Sequence, residues 1–454
     1  MNKVLKLTSA VVLALSLAWL ALSAAVDADA KASGSLTFTK DIAPIFQSKC
    51  VECHRQGTAA PMSLATYQEV RPWAKAIRER VITRNMPPWH IDKAVGIQRF
   101  QNDRSLTDEQ INTIVRWVDA GVLPGEAKDM PPPRQWPDGQ SWILAKQFGQ
   151  PDLVLKSDAY TMPAQAQDAW FRPVTEVPLT EPRWVRAVEM RTGALAGRKI
   201  MHHVLAGLIQ EEPGLSNAAE NSNSGANGPG LLMEWAIGKN FDIYRPNTGK
   251  LLLPGARISW ELHVHAVGEQ IRDHAELAVY LYPKGETPKY RTRLTLFGAY
   301  ANPANNPTSS RLDIPPNAVA VTQGFHVLQQ PARLENFQPH MHLRGKAMSI
   351  EAILPNGTTQ MLSHVNNFNF NWMNNYIYAD DAAPVLPKGT VLRVTAWHDN
   401  TTANRHNPDP DQWVGWGDRT VDEMAHAWVN VTYISEADYQ EWAARNKASA
   451  TALR

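Results

Sequence analysis

A proline run, Met130-Pro131-Pro132-Pro133 followed by Trp136-Pro137, divides a stretch of this chain whose apolar pattern is helical from one dominated by short alternating runs. Proline lacks an amide proton and fixes φ, so such a run ends a helix and stiffens the backbone around it. Upstream, from Phe38 to Gly121, apolar residues recur at helical spacing. Ile42, Ile45 and Phe46 share a face, and Trp73, Ile77 and Val81 return every four residues. Ile111, Ile114, Val115 and Val118 line a helix that opens at Thr107, with Gln110 three residues on, and stops at Gly121. Downstream the period becomes two, as in Ile258-Trp260-Leu262-Val264 and Val391-Val394-Ala396, with Pro, Gly and Asn clusters between the runs. The fold class expected is multidomain: a small all-α domain over 34–125, a linker over 126–150, and about 290 residues of β structure, enough for two antiparallel β-sandwiches. Their expected limits are 151–305 and 306–440, leaving a tail over 441–454. Sixteen Trp and 32 Pro suit β-rich domains with many turns. The stretch from Pro213 to Gly230, rich in Asn, Ser and Gly, reads as a surface loop.

The balance of 45 basic and 44 acidic residues leaves a net charge of +1, with no excess to attract nucleic acid or an anionic membrane surface. Lys3 and Lys6 precede an apolar run from Val11 to Leu22, with Ser23-Ala24-Ala25 or Ala28-Asp29-Ala30 as possible cleavage sites. Residues 1–30 are therefore expected to be a signal peptide, since the apolar core is shorter than the ~20 residues that span a bilayer. Export to the periplasm or beyond is the consequence, with no stable membrane insertion after cleavage. No Gly-rich phosphate loop and no nucleophile elbow occurs, so hydrolase readings have no support.

Both cysteines lie in Cys50-Val51-Glu52-Cys53-His54, too few for a disulfide framework. Cys-x-x-Cys-His is the attachment signature of covalent c-type haem, with thioethers at Cys50 and Cys53 and His54 as axial ligand. A thioredoxin-like pair needs a βαβ context, and half a zinc site needs a further Cys or His pair nearby. Met86, in Arg84-Asn85-Met86-Pro87-Pro88-Trp89, is the favoured sixth ligand; His90 is a weaker candidate, and Met62, close behind His54, is expected to pack as core. The domain resembles class I cytochromes c.

Three histidine groups stand apart from the scatter of the other imidazoles: His202-His203, His263-Val264-His265 and His340-Met341-His342. In a strand, residues two apart point to one side, so each of the last two groups presents two rings together. Imidazole suits copper, zinc, iron or nickel, and thioether sulfur shifts the preference toward copper. With the thiols committed to haem, His and Met are the remaining soft donors. A zinc or nickel site of sensory type stays open at this point.

The order of His202-His203, Glu261-Leu262-His263, Pro339-His340-Met341-His342 and Asp422-Glu423-Met424 resembles that of the copper type II, ascorbate-dependent monooxygenases, over roughly residues 151–440. The resemblance implies two jelly-roll-like β-sandwich domains, each with one copper ion facing a solvent-filled cleft. It assigns an electron-transfer copper to His202, His203 and His263, with His265 as the alternative third ligand. It assigns an oxygen-binding copper, the catalytic one, to His340, His342 and Met424. The implied reaction inserts one oxygen atom of O2 into a substrate C–H bond and releases the other as water, which takes two electrons. An external donor, a small reductant or a redox protein, is expected to supply them through the tethered haem, whose attachment raises its effective concentration. The peptide-hydroxylating members hold a substrate carboxylate through Arg, Asn and Tyr; Gln338, His426 and Trp428 occupy those positions here, so a carboxylate grip is absent and peptide amidation is disfavoured. The competing expectation is a non-catalytic haem and copper electron carrier or copper-binding protein.

Overall fold

The computed structural model describes residues 35–56, 60, 62–135, 141–211, 230–236, 239–300 and 312–452. The expected signal peptide, Trp136-Pro137 and all of the Pro213–Gly230 loop but Gly230 lie outside the described residues. The chain is β-rich with few helices, and it divides into two compact units.

The helical unit takes residues up to 87, apart from 57–59, together with 105–135. Its core forms around Phe38 in the turn Phe38–Ile42, which runs into the helix Ala43–Lys49. The Phe38 ring meets Phe46 edge-on at 6.3 Å and lies tilted against Tyr67 at 5.8 Å and Trp117 at 6.1 Å. Full burial of such a side chain contributes roughly 1.5–3 kcal/mol. The helix Asp108–Asp119 starts at a complete capping box, with Thr107 Oγ1 accepting the Gln110 N–H at 3.1 Å and Gln110 Oε1 accepting the Thr107 N–H at 3.0 Å. It stops before Gly121, whose φ of +95° is the left-handed conformation that glycine adopts at helix ends. Ile114 and Trp117 are the residues this helix buries completely. Trp117 lies outside the face expected from spacing; its indole N–H reaches Leu123 O at 2.9 Å, which satisfies the polar end of a buried ring. Ala74, Ile77 and Val81 bury one side of the helix Ala74–Ile82, whereas Trp73, expected on that face, is exposed.

The β unit holds 88–104 and the chain from 136 onward. The first of these is a correction to the expected 34–125 domain. Trp89 and Ile91 join a β core, Trp89 meets Tyr376 edge-on at 4.7 Å, and Phe100 stacks on Tyr378 at 5.6 Å. Helical spacing had no means of excluding this stretch, because its apolar residues serve another core. His90 lies here too, its amide donating to the Tyr376 hydroxyl at 3.1 Å. Part of the expected linker also packs: Leu144 is buried with Ala187, Ala278 and Tyr280.

The two largest hydrophobic cores among the described residues of the β unit are one drawn from residues 155–281 and one mainly from 297–431. Ile258, Trp260, Leu262 and Val264 are all buried in the first, as their alternation requires. In the second, the buried alternating set is Leu392, Val394 and Ala396, with Val391 on the other face. The expected boundary near 305 is bridged by antiparallel pairing of Tyr290–Gly298 with Ala425–Tyr433, from Arg291 opposite Tyr433 to Gly298 opposite His426. The two halves are thus one compact unit. A separate four-stranded antiparallel sheet orders Val319–Val327, Val391–Asp399, Gly345–Ile353 and Thr359–Val365. The chain closes with the helix Glu436–Ala452, which begins before the expected tail.

Candidate functional site

The strand Met201–Ile209 pairs antiparallel with Arg257–Val264, placing His203 opposite His263. At the next step Val264 pairs with Met201, so His202 is one extra residue in its strand. Neighbours in a regular strand point to opposite faces, and this bulge is what allows both rings of the doublet to turn to one side. His202, His203 and His263 each bring a ring nitrogen within 4.8 Å of the others, a set that could hold a metal ion. The ring of His265 is 6.4 Å from that of His202, against 5.2 Å for His263. His265 lies past the strand end, so the alternation that would align it with His263 no longer applies.

His340 and His342 stand 5.4 Å apart at the end of the strand Asn336–Met341. That strand pairs with Ala425–Tyr433, His340 opposite His426 and Met341 opposite Ala425, which brings the Met424 backbone beside His342. Glu423 fixes this corner by accepting the His342 N–H at 2.9 Å and the Arg344 N–H at 2.6 Å. His398 Nε2 donates to the Met424 carbonyl at 3.2 Å. Burial pushes the Glu423 carboxyl up to about 8, so it carries a proton much of the time near neutral pH.

The two histidine sets are neighbours. The rings of His203 and His340 are 5.9 Å apart, and Phe370 stacks on His202 at 4.8 Å while meeting His342 at 6.0 Å. His203 is 9% exposed, His263 3%, His340 7% and His342 3%. An open, solvent-filled cleft between the sets, which the resemblance implies, is therefore not the arrangement seen; buried rings meet directly. Burial is the main cause that lowers the imidazoles, His202 to about 3 and His342 to about 4, with His203 and His340 held well below the usual histidine range. Neutral imidazole is the form that binds metal. The donor chemistry therefore fits an ion that accepts neutral nitrogen ligands.

Several contacts escaped the reading by motif. Asp168 Oδ2 lies 3.0 Å from His263 Nε2, and Trp170 stacks on the same imidazole at 4.5 Å. His426 stacks on His340 at 4.8 Å and meets Trp428 edge-on at 5.1 Å. Trp428 is buried with Leu294 and Leu296, and Gln338 Nε2 donates to Glu234 Oε2 at 2.6 Å. No spacing in the sequence links Asp168 to His263; the two meet only through strand pairing.

In the helical unit Cys50 closes the helix Ala43–Lys49, and the His54 amide donates to Cys50 O at 2.9 Å. His54 Nδ1 lies 3.2 Å from the Met62 carbonyl, so the tautomer that donates there leaves Nε2 as a lone-pair donor. Burial, with the charge of Cys53, pushes the Cys50 thiol up to about 12, opposite to the lowered value of a catalytic redox thiol. Met86 is half-buried within the turn that follows Ala74–Ile82.

No protein-family model and no curated protein matches the chain. Among solved structures it is similar to the major capsid protein P2 from bacteriophage PM2, with 11% identity over 62% of this chain and 97% of that one at a TM-score of 0.27. It is also similar to the infectious bursal disease virus VP2 subviral particle, with 12% identity over 66% of this chain and 76% of that one at a TM-score of 0.17. A third is the ANXUR2 extracellular domain from Arabidopsis thaliana, with 6% identity over 62% of this chain and 90% of that one at a TM-score of 0.16. At these TM-scores the likenesses bear on neither fold nor function.

Proposed function

We propose that this chain is an exported, haem-linked dicopper monooxygenase that hydroxylates a C–H bond of a small organic substrate with O2. The observation that carries this reading is the His202, His203 and His263 cluster with His340 directly beside it. In this reading the helical unit is a cytochrome c domain, and the halves of the β unit are jelly-roll-like copper domains. His202, His203 and His263 hold one copper ion, and His340, His342 and Met424 hold the other. Cys50 and Cys53 would attach the haem, and His54 and Met86 would hold its iron. When bound, the haem and the copper ions supply the electron transfer and dioxygen chemistry that the side chains lack.

The protein's own groups then have defined tasks. Burial keeps the ligand imidazoles neutral. Glu423 and His398 hold the backbone of His342 and Met424 in place. The stack of His426 on His340 limits rotation of that ring. Hydroxylation of one C–H bond consumes one O2, two electrons and two protons and yields an alcohol and water, so an external donor must supply two electrons per turnover. Gln338, bound to Glu234, offers no cation for a carboxylate, which favours an uncharged or apolar substrate.

Burial of the histidines favours one other reading, a periplasmic electron carrier or copper-binding protein, because electrons reach buried centres more readily than substrates do. Oxygen uptake separates the two. Full-length protein matured in a host that attaches c-type haem, loaded with copper and given a reductant and a panel of small organic substrates, should consume O2 in proportion to alcohol formed. Reduction without substrate-dependent uptake identifies the carrier.

A further inference from the structure

Resting on the reading of His202, His203 and His263 as one copper site, we infer that Asp168 and Trp170 are positioning residues that clamp His263 and tie that site to the loop leading to Met424. Asp168 precedes the strand Ala169–Phe171, which pairs with Arg257–Val264 and sets Trp170 opposite His263. The two residues grip the imidazole in perpendicular directions. Trp170 covers its face, with rings 4.5 Å apart and 10° from parallel, and Asp168 Oδ2 meets its edge at Nε2, 3.0 Å away. His263 Nδ1 is buried and has no hydrogen-bond partner among the described residues. With the Nε2 proton donated to Asp168, Nδ1 is left as the lone-pair nitrogen. A carboxylate on the far nitrogen fixes the tautomer, raises the basicity of the ligand and orients the ring.

The same carboxylate oxygen accepts from Thr420 Oγ1 at 3.1 Å. Arg172, four residues beyond Asp168, joins Glu261 at 2.7 Å and Asp418 at 3.5 Å. Asp168 and Arg172 are exposed enough that these contacts add little stability, each worth about 0–1 kcal/mol. Their consequence is positional. The segment 418–424 is held against the strand pair that carries His263, so a shift at one histidine set is felt at the other.

The test uses full-length, haem-bearing protein, titrated with copper against a chromophoric chelator and read by electron paramagnetic resonance and by the copper reduction potential. Asp168→Ala and Asp168→Asn should weaken copper at one site about 10–100-fold, alter its hyperfine splitting and raise its potential, because a less basic ligand favours the reduced ion. Asp168→Glu should restore part of the wild-type spectrum. Trp170→Ala should broaden the same signal, and Trp170→Phe should keep it narrow. Unchanged affinity, spectrum and potential in both Asp168 variants would overturn the clamp while leaving the copper reading intact. Wild-type protein that takes up no copper would instead overturn the reading on which the clamp rests. Thermal melts of the metal-free variants check that each has folded.

Discussion

His203 faces His263 across an antiparallel strand pair, and the register slips by one residue immediately beyond them. The slip lets the rings of the adjacent residues His202 and His203 turn to one side, which a regular strand forbids. His263 should therefore matter more than His265. In copper titrations of the full-length protein, His263→Ala is expected to lose one of two bound coppers. His265→Ala should stay within about twofold of wild type, because its ring lies farther from His202.

Met424 tests the other site. Its backbone is fixed by Glu423 and His398, so Met424→Ala removes a thioether and little else from the local structure. Substrate-dependent O2 uptake should vanish while the haem spectrum and one copper persist. Full activity in the variant would remove Met424 from the oxygen site.

The buried imidazoles give the metal-free protein a characteristic response to acid. Their folded values lie below 6.5, with His202 near 3 and both His342 and His398 near 4. As pH falls through 6.5 the unfolded chain takes up these protons first and the folded chain resists. Stability from these groups is thus present above about pH 6.5 and is lost progressively down to pH 3–4, by up to about 1.4 kcal/mol per pH unit for each histidine. Urea melts at pH 7.5, 6 and 5 should show this loss, and copper should move its onset to lower pH, since metal competes with protons for the nitrogens of the ligand histidines, His202 and His342 among them. Copper-independent melts at every pH would contradict neutral imidazole ligation.

Thr107→Ala should destabilise the helical unit by about 1 kcal/mol through loss of its capping box, visible as a lower melting temperature with the haem still attached. Thr107→Ser should recover most of it, since its hydroxyl accepts the same Gln110 N–H.

Local chemistry was readable from the chain. The capping box at Thr107, the stop at Gly121 and the alternation through Ile258–Val264 depend on neighbours a few residues apart, and the structure has them as the pattern requires. Contacts between distant segments were not. Residues 88–104 carry apolar side chains that suit a helical unit equally well, yet Trp89 and Ile91 belong to the core around Tyr376. The bulge at His202 depends on a pairing register that no local pattern encodes. Asp168 and Phe370 reach the histidines only through folding, so residue type at a motif's spacing could not reveal them.

The most direct test of a haem-linked dicopper protein is its metal and haem stoichiometry, measured by elemental analysis with a pyridine haemochrome spectrum on full-length protein matured in a host that attaches c-type haem. One covalent haem and two copper ions per chain are predicted, with copper lost in His203→Ala and His340→Ala separately. Haem iron with no copper after copper loading would contradict the account and return the protein to the class of simple electron carriers.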